Sequence, residues 1–523
     1  MEQKKIIRSA GTIGFFILFS RMLGLVRDMA MAAFFGSSKA MDAFVVAFTI
    51  PNLFRSLFGE GALSSAFVPV FTEALARENR AKVWSFANNM FSFLSMILAA
   101  IVAILIMVAS LVRGYCPASD RIVMILDFTR IMLPYMFFIC LTAFFSSILN
   151  SLRRFFMPAA TYAALNIVMI AALFLVCPHL DPSGNARILA VAWSVILAGI
   201  VQCVMQLPLL WHCGFRLRLN IDWHDPRVRR VWQLMGAAAI GVGVTQINVL
   251  IDRLIATIIG EGAPSYLYYA ERLVYFPLGI FGTALGTVLL PAFSAHVAQN
   301  RADMVNQTLN QSFRQLLFMT VPAAIGMLIL AKPIIQVIYE HGDFSSLSTR
   351  MTAWALIFYS PGLIVFSLLK ILIPVFYAQQ DMITPVRVGI GCTCFSVALK
   401  LILMWPLKHA GIALGTVIAI SAEVVIFIFL INRRFGSPGW RTIIHSFAKI
   451  LAAAAVMGLV AFLSHHACQQ YLFSCTLPTR VIRILSLFTA IGFSVFAYLA
   501  AAFILKTREL SEFKDALLHK AKA

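Results

Sequence analysis

Along most of its length the chain is written in apolar blocks of about 20 to 28 residues divided by short polar breaks, and about 20 such residues cross the roughly 30 Å core of a bilayer. The alternating segments of about ten residues that mark a spanning barrel strand are not the pattern seen. The blocks predict about fourteen transmembrane helices, over residues 9–35, 41–71, 83–112, 122–149, 157–178, 187–210, 229–259, 267–297, 305–331, 347–376, 385–406, 410–432, 442–464 and 481–505. The fold class is an all-α polytopic membrane protein. Prolines inside the blocks (Pro51, Pro69, Pro134, Pro277, Pro291, Pro322, Pro361, Pro374) mark expected bends, because neighbouring groups in a membrane bundle re-satisfy the backbone that proline leaves open.

The pattern repeats weakly at a lag of about 222 to 227 residues. Ala62-Leu-Ser-Ser-Ala-Phe-Val-Pro-Val-Phe71 aligns with Ala284-Leu-Gly-Thr-Val-Leu-Leu-Pro-Ala-Phe293; Asp28 and Gly36 meet Asp252 and Gly260; Pro158 meets Pro385. The order is kept along the chain, so the expectation is two pseudo-symmetric six-helix lobes, residues 1–215 and 216–440. Two further helices follow at 441–505, then a short polar tail, 506–523, expected as a surface helix. Equal lobes imply alternating access with the site between them.

Composition sharpens the class. Of 523 residues, 61% are hydrophobic and 12% charged, with mean hydropathy +0.87, against roughly 25% charged in a soluble domain. The net charge of +20 would suit a nucleic acid, but no basic run is long enough to form a binding tail, and no such partner is expected. Lys and Arg gather instead in alternate loops, clearest at Arg153–Arg154, from Arg216 to Arg230, and at Arg433–Arg434 with Arg441. That bias puts both termini on the cytoplasmic side of the inner membrane. Met1 to Arg8 runs into the first helix without a small-residue cleavage pattern, so the helix is expected to be retained.

The nine cysteines lack metal-ligand spacing. Cys392 and Cys394 read as small core residues, and Cys468 and Cys475 flank one expected external loop where an oxidising compartment permits, without requiring, a disulfide. The ten histidines show no cluster beyond His465–His466, and a membrane glycosyltransferase or phosphatase would need acidic or histidine metal motifs. The chain is therefore expected to be a transporter, not an enzyme, with no cofactor or metal.

Ionisable residues within a bilayer cost about 2.5 to 3.5 kcal/mol each on insertion scales and so face cavities or partners. The first two predicted helices hold Arg21, Arg27, Asp28, Asp42, Arg55 and Glu60, and the seventh and eighth hold Asp252, Arg253, Glu271 and Arg272. These are matched helices of the two lobes. Arg21 and Asp28, seven apart, share a helix face, whereas Arg27 lies off it. Ion pairs that lock helices together are one reading of such charges. The excess of arginine on matched helices favours another: a hydrated cationic cavity for an anionic, pyrophosphate-bearing headgroup, since the guanidinium fork holds oxyanions bidentately and stays charged at low dielectric. Asp28, Asp42, Glu60, Asp252, Arg253 and Glu271 would then orient the arginines or gate the cavity.

At these residues the chain resembles the MurJ/MviN lipid II flippases, over nearly its whole length. The resemblance is carried by Ser20-Arg-Met-Leu-Gly-Leu-Val-Arg-Asp28, Asp42-Ala-Phe, Pro51-Asn-Leu-Phe-Arg55 and Gly59-Glu-Gly-Ala-Leu-Ser-Ser-Ala-Phe-Val-Pro69, then by Tyr268-Tyr-Ala-Glu-Arg-Leu273, Phe276-Pro-Leu-Gly279, Leu285-Gly-Thr-Val-Leu-Leu-Pro291 and Gln380-Asp-Met-Ile-Thr-Pro385. It implies transfer of lipid II, an undecaprenyl-pyrophosphate-linked glycan, from the cytoplasmic to the periplasmic leaflet, with the last two helices forming a groove for the lipid tail. It implies substrate-binding roles for Arg21, Arg27, Arg55 and Arg272, acidic cavity positions at Asp28 and Asp42, and a supply of precursor to the cell-wall synthesis machinery. Some members use a sodium site drawing on an acidic residue of the seventh helix, which Asp252 matches, and on oxygen ligands in the eleventh. There this chain has Ser396 and Lys400. An ammonium excludes a bound cation, so Lys400 is expected to substitute for the ion by pairing with Asp252, and coupling to sodium or protons stays open. The alternatives are a flippase for another polyprenyl-pyrophosphate glycan and a multidrug exporter of the same superfamily. The latter commonly has twelve helices and a pocket suited to cations.

Overall fold

The computed structural model describes residues 2–115, 119–181, 185–473 and 478–512, without the side chains of 2–15, 17, 58–61, 237–238, 240–242, 245, 281–288 and 473. Among the described residues the chain is helical, with no strand. Its α-helices are α1 (Glu2–Phe35), α2 (Lys39–Phe54), α3 (Leu63–Arg77), α4 (Arg80–Tyr115), α5 (Asp120–Ser151), α6 (Phe156–Ala171), α7 (Ala186–His212), α8 (Pro226–Ile259) and α9 (Ala263–Ala298). There follow α10 (Ala302–Ile329), α11 (Ala331–Tyr339), α12 (Ser346–Tyr359), α13 (Gly362–Ala378), α14 (Ile383–Leu407), α15 (His409–Phe435), α16 (Trp440–Phe473) and α17 (Thr479–Ile504). Each predicted block falls on one helix or on helical pieces run together. Among the described residues ten helices are long and apolar enough to cross a membrane, or eleven if α12 and α13 form one span.

The pieces arise where backbone hydrogen bonding is interrupted. The second block breaks into α2, a π-helical turn (Arg55–Ala62) and α3. Pro51 within α2 donates no N–H to the preceding turn, and the wider π turn follows immediately; such turns often sit at functional sites. The tenth block bends by 42° between α12 and α13, at Ser360 and Pro361. α10 stops at Ile329 and α11 restarts at Ala331, with Pro333 in its first turn, the part of a helix that tolerates a missing donor.

By packing, the chain forms two compact units, Met1–Ser265 and Tyr266–Ala523. In the first, α5 packs on α2, α4 and α7, and α8 packs on α2, α3 and the π turn. Gly199 brings α7 so close to α5 that a Cβ there would stand 2.7 Å from a ring carbon of Tyr135. Phe67 stacks at 5.0 Å from Phe71 and meets Phe144 edge-on at 5.0 Å. The loop before α8 is fixed to α4: Asn88 Oδ1 accepts from Arg218 N, Ser92 Oγ from Asn220 N, and Asn89 bonds both N and O of Asp222.

In the second unit, α10, α13, α15 and α16 enclose a core of Phe313, Leu316, Ile371, Phe376 and Phe427, and Tyr498 Oη of α17 donates to Phe318 O at 2.7 Å. α14 and α15 approach through Gly411 and Gly415, spaced as in the small-residue contacts of membrane helices. A Cβ on Gly411 would lie 2.2 Å from Leu403 O. Phe488, Phe496 and Phe503 of α17 are 65%, 74% and 75% exposed, as expected of a helix whose outer face meets hydrocarbon. The polar tail starts pinned rather than free on the surface: Thr507 and Glu509 are buried.

Of the cysteines, Cys392 is buried and Cys394 is exposed, so only the first is a core residue. Cys468 accepts from Thr489 Oγ1 at 3.3 Å; Cys475 lies outside the described residues.

Candidate functional site

Arg21, Arg27, Asp28, Asp42, Arg55, Glu60, Asp252 and Arg253 lie in the first unit, and Glu271, Arg272, Ser396 and Lys400 in the second. On α1, Arg27 and Asp28 are 5% and 2% exposed. Arg27 donates from Nε (3.0 Å) and Nη2 (2.8 Å) to Asp28 Oδ1, and from Nη1 to Asn166 Oδ1 of α6 (3.0 Å). Asn166 is itself held, its Nδ2 donating to Ser20 O at 3.0 Å while Ser20 Oγ donates to Tyr162 O. Successive helix positions do not face each other. The arginine is long enough to curl back onto its neighbour, so helix geometry alone misjudges this pair. Arg21, two turns from Asp28, is half-buried.

Asp42 occupies the first turn of α2, where Ser38 caps the helix by accepting from Met41 N. It is wholly buried, and all its partners lie in the first unit. Its Oδ2 accepts from Arg121 Nη2 of α5 (3.0 Å) and Gly262 N (2.7 Å), and its Oδ1 from Ser265 N (3.1 Å) and Oγ (2.6 Å). Arg121 also donates to Thr257 O and Gly260 O, each at 3.0 Å. One carboxylate and one guanidinium thus fasten the turn between α8 and α9 onto α2 and α5. Gly262 has φ +82°, a conformation in which glycine carries no steric penalty. Sequence reasoning singled out Asp42 as a cavity or gating residue and did not single out Arg121, Gly262 or Ser265, its partners here.

Arg55 opens the π-helical turn, half-buried, with Nε donating to Asn52 Oδ1 at 2.8 Å. Glu60 shares that turn; its side chain is outside the described residues. Asp252 and Arg253 are buried on α8. On α9, Glu271 and Arg272 are half-buried; the Arg272 guanidinium lies 4.8 Å from the Tyr268 ring centroid and Nη2 is 3.4 Å from its Oη, a cation–π contact one turn away. On α14, Ser396 is 2% and Lys400 0% exposed, and Ser396 Oγ has no hydrogen-bond partner among the described residues. Gly415 makes room for the lysine: a Cβ there would stand 2.9 Å from Lys400 Cγ.

Asp381, in the loop before α14, does not belong to this set. It caps the helix, accepting from Thr384 N (2.9 Å) and Oγ1 (2.6 Å), and pairs with Arg434 at 2.8 Å. Burial opposes its charge, but the Thr384 and Arg434 contacts outweigh it and hold the carboxyl down at about 2.

The family described as lipid II flippase MurJ matches residues 31–482. A Burkholderia cenocepacia protein named "Lipid II flippase MurJ" is 34% identical over 466 residues, 86% of this chain and 89% of its own length. A Rickettsia prowazekii protein named "Probable lipid II flippase MurJ" is 32% identical over 506 residues, covering 96% and 98%. A solved structure of lipid II flippase MurJ in an inward closed conformation superposes with a TM-score of 0.77 at 26% identity, covering 94% of this chain and 98% of that one. An inward-facing MATE multidrug transporter reaches a TM-score of 0.68 at 11% identity over 80% of this chain, which shows a common fold.

Proposed function

The chain belongs to the lipid II flippase MurJ family, and from that premise we propose that it carries lipid II from the cytoplasmic to the periplasmic leaflet of a bacterial inner membrane. The observation that carries the proposal furthest is Arg27: a guanidinium only 5% exposed on an apolar helix, held in place by Asp28 and Asn166. A fixed buried cation recognises an oxyanion without the loss of side-chain freedom that binding would otherwise cost. Arg21, Arg55 and Arg272 serve the same pyrophosphate, and Asp28 orients Arg27 rather than competing for substrate. The undecaprenyl tail runs along the exposed apolar side chains of α16 and α17, among them Phe462, Phe488 and Phe496.

Alternating inward- and outward-open states move the head across. No bond of the substrate is made or broken, and both termini stay cytoplasmic. The membrane potential, worth about 2.3 kcal/mol per unit charge per 100 mV, is large enough to reset a conformational equilibrium. Lys400 stands in for a coupling cation, its ammonium excluding sodium from α14.

The test is depletion of the protein in cells followed by a leaflet-resolved assay of lipid II. Accumulation on the cytoplasmic side is expected. An unchanged distribution, or accumulation of another polyprenyl-linked glycan in its place, would overturn the reading.

A further inference from the structure

Where α10, α16 and the chain after α17 meet, the second unit has a cavity of about 390 Å³. Its wall carries Arg314, Arg441, His445, Lys449, Lys506 and Arg508, with Glu509 the one acidic lining residue among those described. Arg441, His445 and Lys449 recur every fourth position on α16 and share a face. Lys506 comes from the turn after α17 and Arg508 from the start of the helical stretch that follows it.

The floor is a hydrogen-bonded network around Arg314, in which Oε2 of Glu509 and of Glu512 has no partner among the described residues. Arg314, 8% exposed, donates from Nη1 to Glu509 Oε1 (2.8 Å), from Nη2 to Glu512 Oε1 (3.0 Å) and from Nε to Asn310 Oδ1 (3.0 Å), and Ser446 Oγ donates to the same Glu509 oxygen at 2.6 Å. The rim is different. Among the described residues Arg441, Lys449, Lys506 and Arg508 form no ion pair, so five cations face two carboxylates.

Beside this rim in the chain stand Ile444, Phe503 and Ile504, 63%, 75% and 75% exposed. A free phosphate would use the cations and leave the apolar residues idle; a ligand with a phosphate head and acyl chains uses both. We propose that this cavity binds the phosphate-bearing headgroup of an anionic membrane lipid, through residues other than those assigned to the transported substrate. Cationic clusters at a membrane surface attract such lipids, and Arg441 and Arg508 add the bidentate geometry that suits phosphate oxygens. Occupancy would brace the α10–α16–α17 junction.

The test uses the full chain in detergent, with phosphatidylglycerol binding followed by native mass spectrometry. Lys449→Gln/Lys506→Gln/Arg508→Gln is compared with Arg216→Gln/Arg218→Gln/Arg229→Gln, which removes the same charge from exposed positions of the first unit. The first triple should weaken phosphatidylglycerol binding at least roughly tenfold, the control triple should not, and phosphatidylcholine should not be retained preferentially. Equal binding by wild type and first triple, or equal loss in both triples, would overturn the site. Full displacement of the lipid by millimolar inorganic phosphate would overturn the lipid assignment in favour of a free oxyanion. Should the triple fail to fold, Arg441→Gln/Lys449→Gln on α16 alone carries the same expectation.

Discussion

Arg27 Nη2 lies 2.8 Å from Oδ1 of Asp28, the next residue in the chain, while Nη1 reaches across to Asn166 of α6 at 3.0 Å. The arginine is therefore aimed from two sides before any ligand arrives. Replacing Asn166 with Ala removes one of them. A buried hydrogen bond to a charged group is worth about 1.5 to 3 kcal/mol, so Asn166→Ala should lower flipping severalfold while the protein still inserts. Unchanged activity in reconstituted vesicles would show that Arg27 does not need this support.

Asp42, wholly buried, pairs with the half-buried Arg121. Breaking one partner of such a pair costs about 3 to 5 kcal/mol, more than the pair contributes as a whole, because a charge is left buried alone. Arg121→Gln should lower the thermal unfolding temperature of the purified protein markedly, and Asp42→Asn/Arg121→Gln should recover part of the loss. Strictly additive losses in that cycle would mean the two residues act separately.

Gly411 and Gly415 set the separation of α14 and α15. Gly411→Ala places a methyl 2.2 Å from the backbone oxygen of Leu403, which has no freedom to yield, whereas Gly415→Ala meets the flexible stem of Lys400 at 2.9 Å. Expression and monodispersity should collapse for the first and fall modestly for the second. Gly391→Ala, with nothing within 4 Å, is the neutral comparison.

Asp381 gives a dependence on acid. Its folded-state pKa of about 2 is below the ordinary value of about 3.9. It therefore stabilises the fold above about pH 4, and that contribution is lost as pH falls towards 2. Asp381→Asn should flatten this part of the stability profile and leave neutral pH less stable than wild type. An identical acid limb in both proteins would rule out the cap as its source.

Much of this was legible from the sequence. The apolar blocks gave the helices because crossing a bilayer demands length and composition, both readable without partners. The charged positions stood out because they are costly in those blocks. Their partners did not. Asn166 is a neutral residue 139 positions from Arg27, and Arg121 stands one position ahead of the expected 122–149 span, where a charge carries no cost that marks it. The bend at Pro361 carries a signal, while the space for Lys400 depends on Gly415 of the following helix, a tertiary fit that no local pattern encodes.

The most direct test of the central claim compares cells depleted of the protein and supplied with wild type or Arg27→Ala/Arg272→Ala, both present at equal levels in the membrane, by leaflet-resolved measurement of lipid II. Wild type should restore lipid II to the periplasmic leaflet, and the double variant should leave it on the cytoplasmic side. Full restoration by the double variant would contradict the account.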